Sequence, residues 1–261
     1  MSTVAFNEPT PEQARALVAA VGEVRQETDI AEIRDRAERE IQRDYAETVS
    51  TFNAAVVGAV LAASPFVAAS VGLAAGVAVV SVGVVMTGPV LAAAVAAARV
   101  VAPDVDEGAF AGMVRTLRDR VARDLEDEAR AAVSDALTET RGRSEAWQGK
   151  AVREALHPKS ARWQSHIERV ASTAATAAVN EGIAVAAAGV QQRTNRRVVL
   201  RWRTRGDSKV RASHRRANGQ VRAVGERFQV GTSKLRWPAD PLGPPRETIS
   251  CRCLLVPTSA Q

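Results

Sequence analysis

Residues 48–98 carry no charged side chain and are rich in Ala, Val and Gly. Any fold of this chain must cover that stretch, because an exposed apolar surface of such size drives aggregation. Pro65 and the Gly88-Pro89 pair divide it, so it reads as an apolar helical hairpin rather than one rod. The central piece, residues 66–86, is long enough to cross a bilayer core of roughly 30 Å. Ala68, Gly72 and Gly76 recur four apart, a small-residue spacing that lets helix backbones approach closely. Two coverings stand open: a lipid bilayer, or burial within the protein or between copies of it. Leu, Ile and Phe are few, so the drive for insertion is modest per residue.

Around this stretch the pattern is helical. Thr10, Pro11 and Gln13 resemble a capping box with proline at the first helical position, followed by Ala14, Leu17, Val18, Val21 and Val24. A second amphipathic helix is predicted from Ile30, Ile33, Ala37, Ile41 and Tyr45. A long helix is predicted over 104–140, with Phe110, Met113, Val114, Leu117, Val121, Leu125 and Val133 in period and Gly142 as its stop. Asp104, Asp106 and Glu107 suit the positive end of its dipole. A short helix holds Trp147 and Leu156 and ends before Pro158. The next, over 160–191, carries Trp163, Ile167, Val170 and Ile183.

At Arg197 the period changes from 3.6 to 2. Val198, Leu200 and Trp202 alternate with Val199, Arg201 and Arg203, as in a strand with one polar face. Short strands are expected near Val221 and over 228–230. Pro238, Pro241, Pro244 and Pro245 mark a loop, and a final strand is expected over 248–256. The expected fold is mainly α with a small α+β C-terminal domain. Its regions are an amphipathic helical 1–47, the apolar hairpin 48–101, a helical 102–192 and a basic 193–261.

Charge separates the last region from the rest. Residues 193–261 hold 16 Lys/Arg against 4 Asp/Glu, a net +12, while residues 1–192 hold 19 against 25, a net −6. A basic end on an acidic body points to a polyanionic partner; a solvated Arg-rich surface is the alternative. The candidate DNA-contacting face is Arg193, Arg196, Arg197, Arg201, Arg203, Arg205, Lys209, Arg215 and Arg216. With no clear stacking platform among Trp202, Trp237 and Phe228, binding is expected to be non-specific and salt-sensitive. Two cysteines in 261 residues argue against a disulfide framework and suggest a reducing compartment. The chain opens without a basic start and apolar run, so no signal peptide is expected.

The C-terminal end gathers the chemistry-bearing residues. Asp207 is expected to cap a helix after the strand. Arg211 and His214 follow it by four and seven residues, a spacing that would bring all three together. On a final strand Cys251 and Cys253 would share a face with Ile249 and Leu255, and Arg252 would point away. Cα atoms two apart on a strand lie about 6.6 Å from each other, near the limit for a disulfide, so no mutual bridge is expected. A structural clasp is the reading adopted. A zinc site from His214, Cys251 and Cys253, with Asp207 as a further ligand, stands as an alternative, as does catalysis by His214 or a cysteine. With no Ser-His-Asp order, CxxC knuckle or phosphate loop, no catalytic residue, metal or cofactor is assigned.

The residues Trp202, Thr204, Asp207, Val210-Arg211, His214, Gly219, Pro238, Asp240, Glu247 and Cys251-Arg252-Cys253 stand in one order over the final quarter. That order resembles the Mu F-like minor head proteins of tailed phages. Members carry a preceding helix with an Arg-Thr-Glu-like motif and an Asn about five residues on. Here Ser172 and Ala174 replace the Arg and the Glu around Thr173, and Asn180 and Gly182 follow. The resemblance implies a minor head (capsid) protein in several copies, inside the head at the portal vertex. Its implied partners are the portal protein, other head proteins and double-stranded DNA. Its implied roles are head assembly, DNA packaging or DNA ejection, with host-membrane penetration added if residues 48–101 enter a bilayer. It implies no enzymatic activity. Two other classes compete: an integral membrane protein with a basic cytosolic domain, and a nuclease or toxin-type domain using His214.

Overall fold

The computed structural model describes residues 11–62, 87–195 and 197–259, with the side chains of the first helix described from Gln26 onward. That helix, α1, runs unbroken over Pro11–Ala62. The two amphipathic runs expected as separate helices are therefore one element. No proline lies between them, and the buried stripe continues through Ile30, Ala37, Ile41, Tyr45, Val49, Phe52, Val56 and Val60 in steps of one or two turns. The stripe crosses from the charged region into the uncharged stretch without a break.

Helix α2 (Thr87–Val101) buries Val90, Ala93, Ala94, Val95, Ala97 and Ala98. A 3₁₀ turn, Glu107–Phe110, leads into α3 (Ala111–Glu139), and Asp106 caps it by accepting from the Gly108 amide at 3.2 Å. The acidic cluster thus belongs to this turn, and the long helix starts later than its periodicity suggests. Helices α4 (Glu145–Ala155) and α5 (Ala161–Thr194) follow, with Ser160 as the α5 N-cap and Asn195 leaving it in the left-handed region at φ 52°.

Helix α5 is the axis of the molecule, packing against α1, α2, α3 and the C-terminal strands. Among the described residues it is the one helix long and apolar enough to cross a membrane, yet its middle, from Val170 to Ile183, is buried almost continuously by protein. Close approach is possible because small residues, Ala with Ser, Thr and Gly, dominate it. A Cβ on Gly182 would stand 2.2 Å from the Ala94 carbonyl oxygen of α2. The end of α1 and α2, which flank the uncharged stretch, thus each bury one face in the core of this bundle. The candidate span 66–86 lies outside the described residues.

A polar network joins three helices inside that core. Tyr45 Oη of α1 lies 2.9 Å from His166 Nε2 of α5, and Arg169 Nη2 lies 2.9 Å from His166 Nδ1. Glu128 of α3 accepts from Arg162 and Arg169. Since Arg169 can only donate, Nδ1 accepts and Nε2 carries the proton toward Tyr45. Burial, aided by the Arg169 charge, lowers the His166 pKa to about 4.

The C-terminal domain holds a three-stranded antiparallel sheet in the order β2-β1-β5, from β1 (Val198–Arg203), β2 (Val221–Ala223) and β5 (Leu254–Ser259). Trp202 stands opposite Leu255. A hairpin of β3 (Phe228–Val230) and β4 (Ser233–Leu235) lies beside it; β4 is an addition to the expected strands. Short helices α6 (Ala212–Ala217) and α7 (Pro245–Thr248) complete the domain. The final strand starts later than expected, because Pro244-Pro245 begins a helical turn and Ser250 takes φ 52°. Helix makes up 67% of the structure and the sheets are short, so the mainly α architecture with an α+β end is what forms.

Candidate functional site

Helix α6 presents His214 to the interior, where it is 2% exposed. Its Nδ1 lies 3.4 Å from Cys253 Sγ and 3.6 Å from Cys251 Sγ. Its Nε2 lies 3.2 Å from Glu247 Oε2, and the same carboxylate accepts from Ser213 Oγ at 2.8 Å. The Trp202 ring meets His214 edge-on with centroids 5.6 Å apart, and Phe228 backs the indole. Both cysteines are free and buried. The adjacent Cys251 sulfur, together with burial, pushes the Cys253 thiol up. The two cysteines share a face as expected, but on irregular backbone ahead of β5 rather than within a strand.

The expected Asp207–Arg211–His214 cluster does not form. Gly206 takes φ 77° and residues 207–210 make a turn, so α6 begins only after Arg211 and the three residues never share a helix face. Asp207 accepts from the Lys209 amide at 3.0 Å and pairs with both arms of Arg252 at 2.8 Å. The Arg252 hydrogen bond holds the Asp207 carboxyl below its usual range. Arg211 instead donates to the Ile249 carbonyl. Asp207 is therefore engaged by Arg252 and is not one of the group formed by His214 and the two thiols, and Glu247 is the carboxylate at His214. Gly219, at φ 81°, returns its amide to the Trp202 carbonyl at 2.8 Å and closes the turn.

Asn180 fastens this clasp to α5. Its Nδ2 reaches the carbonyls of Thr176 at 2.9 Å, Pro238 at 3.1 Å and Cys253 at 3.0 Å, and its Oδ1 accepts from the Leu255 amide at 2.7 Å. Thr173 Oγ1 accepts from the Ser250 amide at 2.8 Å. The Pro-rich loop is pinned in turn by buried Asp240, which takes two backbone amides and the Arg236 guanidinium, itself stacked 4.0 Å over Trp237. Asn180 was legible only as a motif position. A polar amide amid Ala and Val on a buried helix must find partners, and that requirement was the signal available.

The basic residues do not form a single free face. Arg203 pairs with Glu27 at 3.0 Å and Arg205 with Asp35 at 3.3 Å, both acids belonging to α1. Arg34 is buried beside them, bonded to Asp35 and to Glu38. Arg193 pairs with Asp104, Arg215 donates to the Val210 carbonyl, and Arg201 is half-buried on β1. Arg197, Lys209 and Arg216 are exposed; Arg196 lies outside the described residues.

Glu181, next to Asn180, supplies a pH-dependent element. Burial raises its pKa from the ordinary 4.5 to about 7, Arg236 opposing and Asp240 adding to the shift. The folded state therefore holds this proton more tightly, and stability falls as pH rises from 4.5 through 7. Glu181→Gln is expected to stabilise by roughly 1–2 kcal/mol at pH 8, after discounting for partial exposure, and by nothing at pH 4. Urea midpoints at the two pH values check this.

A family model described as Phage Mu protein F like protein matches residues 111–256, more than half of the chain, and the chain belongs to that family. The match begins at α3, so it takes in α3, α4 and α5 as well as the C-terminal clasp, but not α1 and α2. The family is one of phage head morphogenesis, which makes this a head protein of the virion with other head proteins as its partners. No curated protein and no solved structure matches the chain.

Proposed function

We propose that the protein is a minor head component seated inside the capsid at the portal vertex, in several copies, where it touches packaged double-stranded DNA without reading its sequence. It serves head assembly, packaging or ejection as a structural part and not as an enzyme. The net +12 of residues 193–261 carries this reading. Exposed Arg197, Lys209 and Arg216 are available to phosphates. Arg203 and Arg205 keep side-chain exposures of 40% and 44% within their ion pairs. Exposed pairs hold by only about 0–1 kcal/mol, so a phosphate can replace the carboxylate. The nuclease alternative is disfavoured because His214 is buried with both ring nitrogens engaged. Membrane entry by residues 48–101 would have to leave in place the faces of α1 and α2 that pack in the core.

Filter binding to linear duplex DNA of unrelated sequences tests this. Three phosphate contacts predict a loss of affinity of about 40-fold between 50 and 200 mM salt, with a slope near −2.7. Charge reversal at Arg197, Lys209 and Arg216 should weaken binding equally for all sequences. Affinity unmoved by salt, or by the reversal, would overturn the DNA contact.

A further inference from the structure

The cluster at His214 holds two sulfurs aimed at one nitrogen. A neutral imidazole has a single in-plane lone pair at its unprotonated nitrogen, enough to accept one S–H well and not two. Yet Cys253 and Cys251 both stand at Nδ1, at 3.4 and 3.6 Å, and the three donor atoms lie within 4.8 Å of one another. Tetrahedral zinc, with Zn–N near 2.0–2.1 Å and Zn–S near 2.3 Å, separates a nitrogen and a sulfur ligand by about 3.5–3.6 Å. The observed spacing is that of a coordination edge.

The surroundings fit the same purpose. Glu247 sits at Nε2, oriented by Ser213, and as a carboxylate it can only accept. It therefore places the imidazole proton on Nε2 and leaves the Nδ1 lone pair turned to the sulfurs. A carboxylate behind a histidine is the usual support of a metal-bound imidazole. Arg252, between the two cysteines, faces away to Asp207 and adds no positive charge to the cluster. Trp202 closes one side.

We propose that His214 Nδ1, Cys251 Sγ and Cys253 Sγ bind a zinc ion that ties α6 to the segment entering β5. Binding converts both thiols to thiolates and releases their two protons to solvent. The dication and two thiolates leave the coordinated group neutral, with Glu247 bonded to the far side of the imidazole. Three protein donors leave the fourth tetrahedral position to water. All three ligands are buried, and the role assigned to the ion is to hold the clasp. The proposal is independent of the protein's role in the head.

The test is metal analysis of the full chain purified under reducing conditions from zinc-supplemented cells. About one zinc per chain is expected, and less than about a tenth of that in the Cys251→Ser/Cys253→Ser double variant and in His214→Ala. Glu247→Gln should keep the ion but weaken it roughly 10–100-fold in a chelator competition. Cobalt(II) added to the metal-stripped wild-type chain should give a thiolate-to-cobalt charge-transfer band that zinc abolishes. This reading decides the matter even if the cysteine variants fail to fold. A folded, reduced wild-type chain without zinc and without the cobalt band overturns the proposal, as does full zinc retention by the double variant.

Discussion

Asn180→Leu is expected to lower the stability of the folded chain by about 3–6 kcal/mol, a large part of the 5–15 kcal/mol that a natural domain possesses. The side chains are similar in volume, so the loss is one of hydrogen bonds and not of packing. Without the amide, the Leu255 N–H and the Pro238 and Cys253 carbonyls lose the partner that α5 supplies. Each buried backbone group left unsatisfied costs about 1–3 kcal/mol. Those groups flank the His214 clasp, so the C-terminal domain should loosen from α5 before the helices themselves melt. Urea unfolding followed by both far-ultraviolet circular dichroism and tryptophan fluorescence would show it. A midpoint within error of the wild type would mean that the amide is not the fastening described. Asn180→Asp should not rescue, since it keeps the acceptor but removes the donors and adds an acid to a fully buried site.

The second large effect lies on the opposite side of the same helix. Two residues advance a helix by about 200°, so while Asn180 faces the C-terminal domain, Gly182 faces α2. There a Cβ would meet the Ala94 carbonyl oxygen at 2.2 Å and the Ala94 backbone carbons at 3.0 and 3.1 Å. Backbone cannot rotate aside as a side chain can. Gly182→Ala must push α2 and α5 apart, and overpacking of this kind costs about 1–3 kcal/mol or more. Set against it is the better helix propensity of alanine, about 1 kcal/mol. A net loss of about 0–2 kcal/mol is expected, toward the upper end because the clash is with backbone. The control is Gly112→Ala on α3, where no atom lies within 4 Å of the added Cβ; it should gain about 0.5–1 kcal/mol. Opposite signs for one chemical change would locate the effect in the α2–α5 contact. Equal signs would remove it.

Much of the architecture was readable along the chain because it rests on local period. The stripe from Ile30 to Tyr45, the spacing from Met113 to Val133 and the alternation at Leu200 and Trp202 each declare an element and its buried face. The β3–β4 hairpin had a signal too, the two-residue Gly231-Thr232 loop, but its strands are too short to show alternation. What failed was the extension of local period across a turn. Asp207, Arg211 and His214 share a helical spacing, but Arg211 is extended at ψ 151°, so no helix spans them.

The mainly helical body, the basic end and the order of residues that marks a phage head protein are all matters of composition or short-range spacing, and so are written along the chain. Tertiary structure alone decided who meets whom. Glu247 became the partner of His214 from 33 residues away, Arg203 and Arg205 met acids of α1 some 170 residues away or more, and Gly182 met Ala94. Such pairings depend on how helices cross and where loops return, and no local period encodes the angle at which two distant segments come into contact.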